Sequence, residues 1–138
     1  MKSKQSLGKR LRRISNSLGF RQVSEYPIRK QEFERGAIGK IDYVWLKDVP
    51  LVGEIPVVGF EIESSGRTSK HLKGDIFNLL CLNSAVGVVL FLEKGFDPNK
   101  LKVHIEATER YAKVFSTHSR ILAWTEKDIE KLSKSIRQ

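Results

Sequence analysis

Two acids one residue apart close an apolar run at Val57-Val58-Gly59-Phe60-Glu61-Ile62-Glu63. The run reads as an interior strand, and side chains at i and i+2 of a strand emerge on the same face. Glu61 and Glu63 therefore leave the core together. Two uncompensated buried carboxylates cost several kcal/mol or more. A bound cation, a substrate, a salt-bridge partner or a strand end open to water would offset that cost. Asp42 is a third acid, set among apolar and aromatic neighbours in Lys40-Ile41-Asp42-Tyr43-Val44-Trp45-Leu46, a setting where Asp is disfavoured. If 40–46 and 57–64 pair as a hairpin, Asp42 sits beside Glu61 and Glu63. Three converging carboxylates are donors for a hard divalent cation such as Mg²⁺ or Mn²⁺, with water and substrate phosphate completing the shell. Such a cation activates water and offsets charge building on a phosphate. Arg67, Lys70 and Lys73 follow directly on the acids and suit a polyanionic substrate. His71 sits among them and is a further phosphate contact; His104 and His118 share no metal-ligand spacing with it.

The elements that must position these residues follow from periodicity. Leu7, Leu11, Ile14 and Leu18 predict a helix over 4–18 with one apolar stripe, stopped at Gly19. Its other faces carry Lys9, Arg10, Arg12 and Arg13, a set suited to contacting a phosphate backbone. A membrane-surface helix is the other reading, disfavoured by the narrow stripe and the lack of aromatic anchors. Residues 20–28 read as a strand with Pro27 near its end, hence an edge or a terminus. Residues 29–39 read as a loop and 40–46 as a second strand. Residues 47–56 read as a hairpin-like connection and 57–64 as a third strand. A helix follows over 66–83, with Leu72, Ile76, Leu79, Leu80 and Asn83 as its buried spacing. Residues 85–92 are apolar throughout, as in a strand covered on both faces. Asp97-Pro98 starts a helix to about residue 115, and 120–124 is a short last strand. Thr125 and Asp128 cap a final helix marked by Ile129, Leu132 and Ile136. The order predicts an α/β fold: a mixed β-sheet flanked by helices on both sides, a meander of three strands followed by parallel crossovers.

Length and charge bound the rest. At 138 residues one domain spanning 1–138 is expected, with no repeat, low-complexity segment or linker. No apolar run approaches a membrane span, and the basic N-terminus lacks the apolar core of a signal peptide. The single cysteine, Cys81, excludes an internal disulfide, suits a reducing, cytoplasmic setting, and reads as filler on an apolar helix face. Trp45 and Trp124 fit strand patterns and read as core. No phosphate loop of the Walker type, zinc pattern or nucleophile elbow is present. The net charge of +9 is uneven. Residues 1–40 carry eleven Lys/Arg against three Glu, a balance of +8, and the remainder is close to neutral. Such asymmetry is the footprint of a nucleic-acid backbone binder.

Asp42, then Glu61-Ile62-Glu63 after a hairpin, in an α-β-β-β-α-β order, resembles the PD-(D/E)XK nuclease superfamily of restriction endonucleases, archaeal Holliday junction resolvases and several repair nucleases. The resemblance covers roughly residues 1–95 and implies a restriction endonuclease-like fold with an αβββαβ core and a C-terminal α-β-α extension. It implies a DNA endonuclease using Mg²⁺ or Mn²⁺, held by Asp42, Glu61 and the backbone carbonyl of Ile62. Two positions depart from the pattern: Ile41 stands where Pro often precedes the Asp, and Glu63 stands where the family carries Lys. A minority of members carry Glu there and cleave; others have lost the Lys and only bind. In the first case Glu63 would orient or deprotonate the attacking water, and Lys70 or Lys73 would supply the missing ammonium. In the second, the chain is a nuclease-like module that binds nucleic acid or a protein without cutting. The family often draws a fourth acid from its first helix, which here has none. Glu25 on the first strand is the best substitute, ahead of Glu32 and Glu34, and is equally well an exposed strand residue. Small nucleases of this kind often pair as homodimers to cut two strands.

Overall fold

Leu7, Leu11 and Ile14 form the buried stripe of the first helix, α1 (Ser3–Leu18). Gly19 ends it with φ at 81°, and Phe20 N–H turns back to the Ser15 carbonyl at 2.8 Å. In this computed structural model the described residues are 3–28, 39–65, 69–115 and 120–137, without the side chains at 3, 4, 69, 70 and 115. After α1 come β1 (Arg21–Ile28), β2 (Gly39–Val49), β3 (Gly53–Glu63), α2 (Ser69–Leu82) and β4 (Val86–Phe91). A single 3₁₀ turn (Glu93–Gly95) precedes α3 (Pro98–Phe115), β5 (Arg120–Thr125) and α4 (Glu126–Ile136).

The five strands lie in the order β1-β2-β3-β4-β5. The first three alternate in direction, and β3, β4 and β5 run parallel. This is the mixed α/β sheet that the order of elements predicts, since only crossover helices can return a chain to a parallel neighbour. Pro27 lies in edge strand β1, where its missing N–H costs no ladder bond. The span 47–56 is not a long connection. β2 and β3 pair out to Val49↔Gly53, and only a tight turn remains between them.

Each face of the sheet carries two helices. Val44, Val89 and Phe91 pack under Leu72, Ile76 and Leu79 of α2 and Ala107 and Ala112 of α3. Trp45, Phe60, Val88 and Leu90 pack under Leu7 and Leu11 of α1 and Ile129 of α4. β4, covered on both sides, is buried from Gly87 to Phe91. Buried Gln22 ties α1 to the sheet: its amide donates to the Gly8 carbonyl and its oxygen accepts the Trp45 indole N–H, both at 2.9 Å. Two expectations fail. Cys81 is exposed rather than packed, since the buried face of α2 passes through Ile76 and Leu79. Asn83 is the left-handed residue that ends α2 (φ 56°), not part of its stripe. No helix among the described residues is long and apolar enough to cross a membrane.

The far end of β3 is held from outside. Leu92 N–H donates to the Glu63 carbonyl at 2.9 Å, and the 3₁₀ turn lies so close that a Cβ on Gly95 would collide with the Ser64 carbonyl oxygen. Because that neighbour is backbone, it cannot rotate away. Gly95→Ala should destabilise the protein by about 1–3 kcal/mol, read as a lower urea midpoint at unchanged slope.

Candidate functional site

The backbone ladder between β2 and β3 runs to Tyr43↔Phe60 and stops there. At the next position side chains replace it. Glu61 Oε1 accepts the Asp42 N–H at 3.0 Å, and Asp42 Oδ2 accepts the Ile62 N–H at 2.7 Å. The strands therefore part at the two acids, and each carboxylate holds the other strand's backbone. β1 is irregular at the same level. Its pairing with β2 skips from Ser24↔Tyr43 to Tyr26↔Ile41, and Glu25, at the register position opposite Asp42, takes φ 53°. A left-handed non-glycine residue in mid-strand is costly and persists only where its surroundings enforce it. Ile41 and Val44 join the same core although they stand three positions apart, so the in–out alternation of β2 slips once, at Asp42-Tyr43.

Glu61 and Glu63 lie on the α2 face of β3, as their i, i+2 spacing requires, and Glu61 is only 5% exposed. Helix α2 delivers a fourth acid to them. A Cβ on Gly59 would meet the Leu79 side chain at 3.1 Å, and one on Gly87, its partner on β4, would meet it at 3.2 Å. The two glycines thus let Leu79 sit low on the sheet. Four residues of helix advance about 6 Å and two residues of strand about 6.6 Å. Counting back from Leu79 over Gly59, Asp75 falls over Glu61 and His71 near Glu63. The side chains interact accordingly: Asp75 hydrogen-bonds to both Glu61 and Glu63, and His71 and His104 act on Glu63.

Burial dominates the electrostatics. Desolvation pushes the Glu61 carboxyl up to about 7, Asp75 up to about 7 and Glu63 up to about 8. Neighbouring acids add to each shift: Asp42 and Glu63 act on Glu61, Asp75 on Glu63, and Glu61 and Asp42 on Asp75. At neutral pH the cluster keeps protons, which its internal hydrogen bonds share.

The expected site residues divide into three groups. Asp42, Glu61, Ile62 and Glu63 come together. Glu25 is exposed on β1, at the register position opposite Asp42. Lys73, two residues from both His71 and Asp75 on α2, points the other way; its ammonium lies 5.5 Å from the centre of the Tyr111 ring on α3. The cations of α1 sit on the opposite sheet face from the acids. Arg67, Glu32, Glu34 and the side chain of Lys70 lie outside the described residues. Asp75 is the residue that sequence reasoning missed. Its signal was position: it falls three residues after Leu72 and four before Leu79, on the buried stripe of an otherwise apolar face.

The donor chemistry fits a hard cation, because four carboxyls meet in a partly buried place and the groups that perturb them are acids and histidines, not lysine or arginine. Among the described residues, however, no three His, Cys, Asp or Glu side chains stand as a ready set of metal ligands. The oxygens of Asp42 and Glu61 are engaged with backbone N–H groups, and Asp75 bonds across to the glutamates. Ion binding would require Asp75 and Glu63 to exchange those bonds. The chain matches no family model, no curated protein and no solved structure.

A carboxyl whose folded pKa is raised binds its proton more tightly folded than unfolded, so stability falls as pH rises between the two values. In chelator, stability should decline from about pH 4.5 to about pH 8 and level off above. Glu61→Gln keeps the acceptor for the Asp42 N–H. It should flatten this decline and raise stability at pH 8 by about 1–3 kcal/mol, measured by urea unfolding across the range.

Proposed function

We propose that the chain is a divalent-metal-dependent endonuclease with a restriction endonuclease-like fold, hydrolysing DNA phosphodiester bonds. The observation that carries this reading is the acid cluster at the parting of β2 and β3: Asp42 and Glu61 clasped across the gap, with Asp75 and Glu63 hydrogen-bonded beside them. Such a cluster in a low dielectric is electrostatically incomplete, and a hard divalent cation completes it. The order of elements agrees with the same family resemblance.

In this reading Asp42, Glu61 and the Ile62 carbonyl hold Mg²⁺ or Mn²⁺. When bound, the ion supplies Lewis-acid stabilisation of the phosphate and lowers the pKa of a water. The chain's own groups do the rest. Glu63, once ionised, accepts the proton of the attacking water, and its raised pKa makes that carboxylate the stronger base. The water oxygen bonds to phosphorus, the bond from phosphorus to the leaving sugar oxygen breaks, and that oxygen takes a proton from solvent. His71 orients Glu63, and Asp75 orients both glutamates, a supporting role of the kind that costs 10–100-fold when removed. Lys70 is the remaining candidate for the missing ammonium, since Lys73 is turned toward Tyr111.

A second reading has its own support. Glu63 in place of Lys, together with the absence of a ready ligand set among the described residues, favours a nuclease-like fold that binds nucleic acid or a protein without cutting. Assays on duplex, branched and single-stranded DNA with Mg²⁺ or Mn²⁺ separate the two. The nuclease reading predicts cleavage that Asp42→Ala and Glu61→Ala reduce to background and Asp75→Asn slows by about 10–100-fold. Cleavage surviving both alanine substitutions sinks it. No cleavage, with no calorimetric uptake of either ion, leaves the binding module.

A further inference from the structure

A groove among the described residues lies on the sheet face away from the acids. It runs between α1 and α4, has a volume of 760 Å³, and carries Arg10 and Arg13 on one wall and Lys134 and Arg137 on the other. The two ends of the chain thus bring four cations to one cleft, and each wall contributes its pair at i, i+3, one helical turn apart. Glu130 is the one acid lining it. None of the four cations belongs to an ion pair among the described residues. Asn16 and Ser133 add hydrogen-bonding groups, and Ile14 and Ile136 supply apolar floor. Both helices pack on the sheet face opposite to α2. Lys9 and Arg12, though on α1, do not line the groove.

We infer that this groove binds the phosphodiester backbone of a nucleic acid, independently of the acid cluster and of any divalent ion. Three of its four cations are arginines, whose planar fork matches phosphate oxygens in pairs. The groove is too large for a single ion, its 760 Å³ lying toward the upper end of the volumes that enclose whole small ligands. Its two cationic walls match a polymer with repeating charge. A lipid surface fits poorly: of the large apolar residues exposed on α1 and α4 among the described residues, there is only Leu18, at 39%. Because the groove and the acids open on opposite sheet faces, a strand held here is a second point of contact and not the segment presented to Glu61. The inference goes beyond the nuclease reading and needs no catalysis.

The test is fluorescence anisotropy with a labelled duplex and a labelled single strand in EDTA, over a salt series. Two paired variants empty one wall each: Arg10→Ala with Arg13→Ala, and Lys134→Ala with Arg137→Ala. Lys100→Ala with Lys102→Ala, exposed on α3, removes the same charge from the other side. Each groove pair should weaken binding by about tenfold and lower the log–log salt slope by about 1.4–1.8. The control pair should stay within about twofold. Lys134 and Arg137 are exposed, so that pair tests the groove without disturbing packing, and circular dichroism checks the fold. Equal losses in all three pairs, no loss in the groove pairs, or groove-dependent binding to phosphatidylserine vesicles but not to either oligonucleotide would overturn the inference. Its failure is distinguishable from that of the nuclease reading. Groove-dependent binding without any cleavage overturns only the nuclease. Cleavage that depends on Asp42 but not on the groove, with binding unchanged in the groove pairs, overturns only the groove.

Discussion

The exchange of backbone ladder for side-chain clasp at Asp42 and Glu61 is the constraint from which the rest of the site follows. Two strands held by their own amides have no room for a ligand between them. Where Glu61 takes the Asp42 N–H and Asp42 takes the Ile62 N–H, the strands part while both amides keep a partner, which avoids the cost of an orphaned amide. The same substitution draws two carboxyl groups inward, so desolvation raises the Glu61 carboxyl. It also coincides with the left-handed Glu25 on the neighbouring strand. The geometry, the electrostatics and the backbone strain are one feature seen three ways.

Helix α2 completes that feature through packing. Gly59 and Gly87 lower Leu79 onto the sheet, and the near match between one helical turn and two strand residues carries Asp75 and His71 to the glutamates. The acid cluster is thus built from hydrophobic contacts several residues away from the chemistry. Charge is sorted by face: acids under α2, and the basic walls of α1 and α4 on the reverse. A single net charge of +9 conceals an inward-facing acid cluster on one face and a basic groove on the other.

Much of the fold was legible in the sequence because its signals are local. The Leu7-Leu11-Ile14 stripe, the left-handed Gly19, the apolar run of β4 and the Asp128 side chain on the Thr125 N–H each declare an element without reference to the others. Asp42 and Glu61 were legible because acids are out of place in strands. Tertiary context hid the rest. Lys73 reads as a substrate cation by proximity in sequence, yet helical phase turns it toward Tyr111. Asp75 reads as an ordinary helical acid until Leu79 fixes which face meets the sheet. The pairing of α1 with α4 joins the two ends of the chain, and no periodicity within either helix announces it.

The central claim is that Asp42 and Glu61 form a divalent-metal centre. Diffraction from crystals soaked in Mn²⁺, with data collected for anomalous signal, tests it most directly. The account predicts an anomalous peak within about 2.0–2.3 Å of carboxylate oxygens of Asp42 and Glu61 and of the Ile62 carbonyl. Crystals saturated with Mn²⁺ that show no peak there, with the clasp between β2 and β3 and the bonds from Asp75 unchanged, would contradict it.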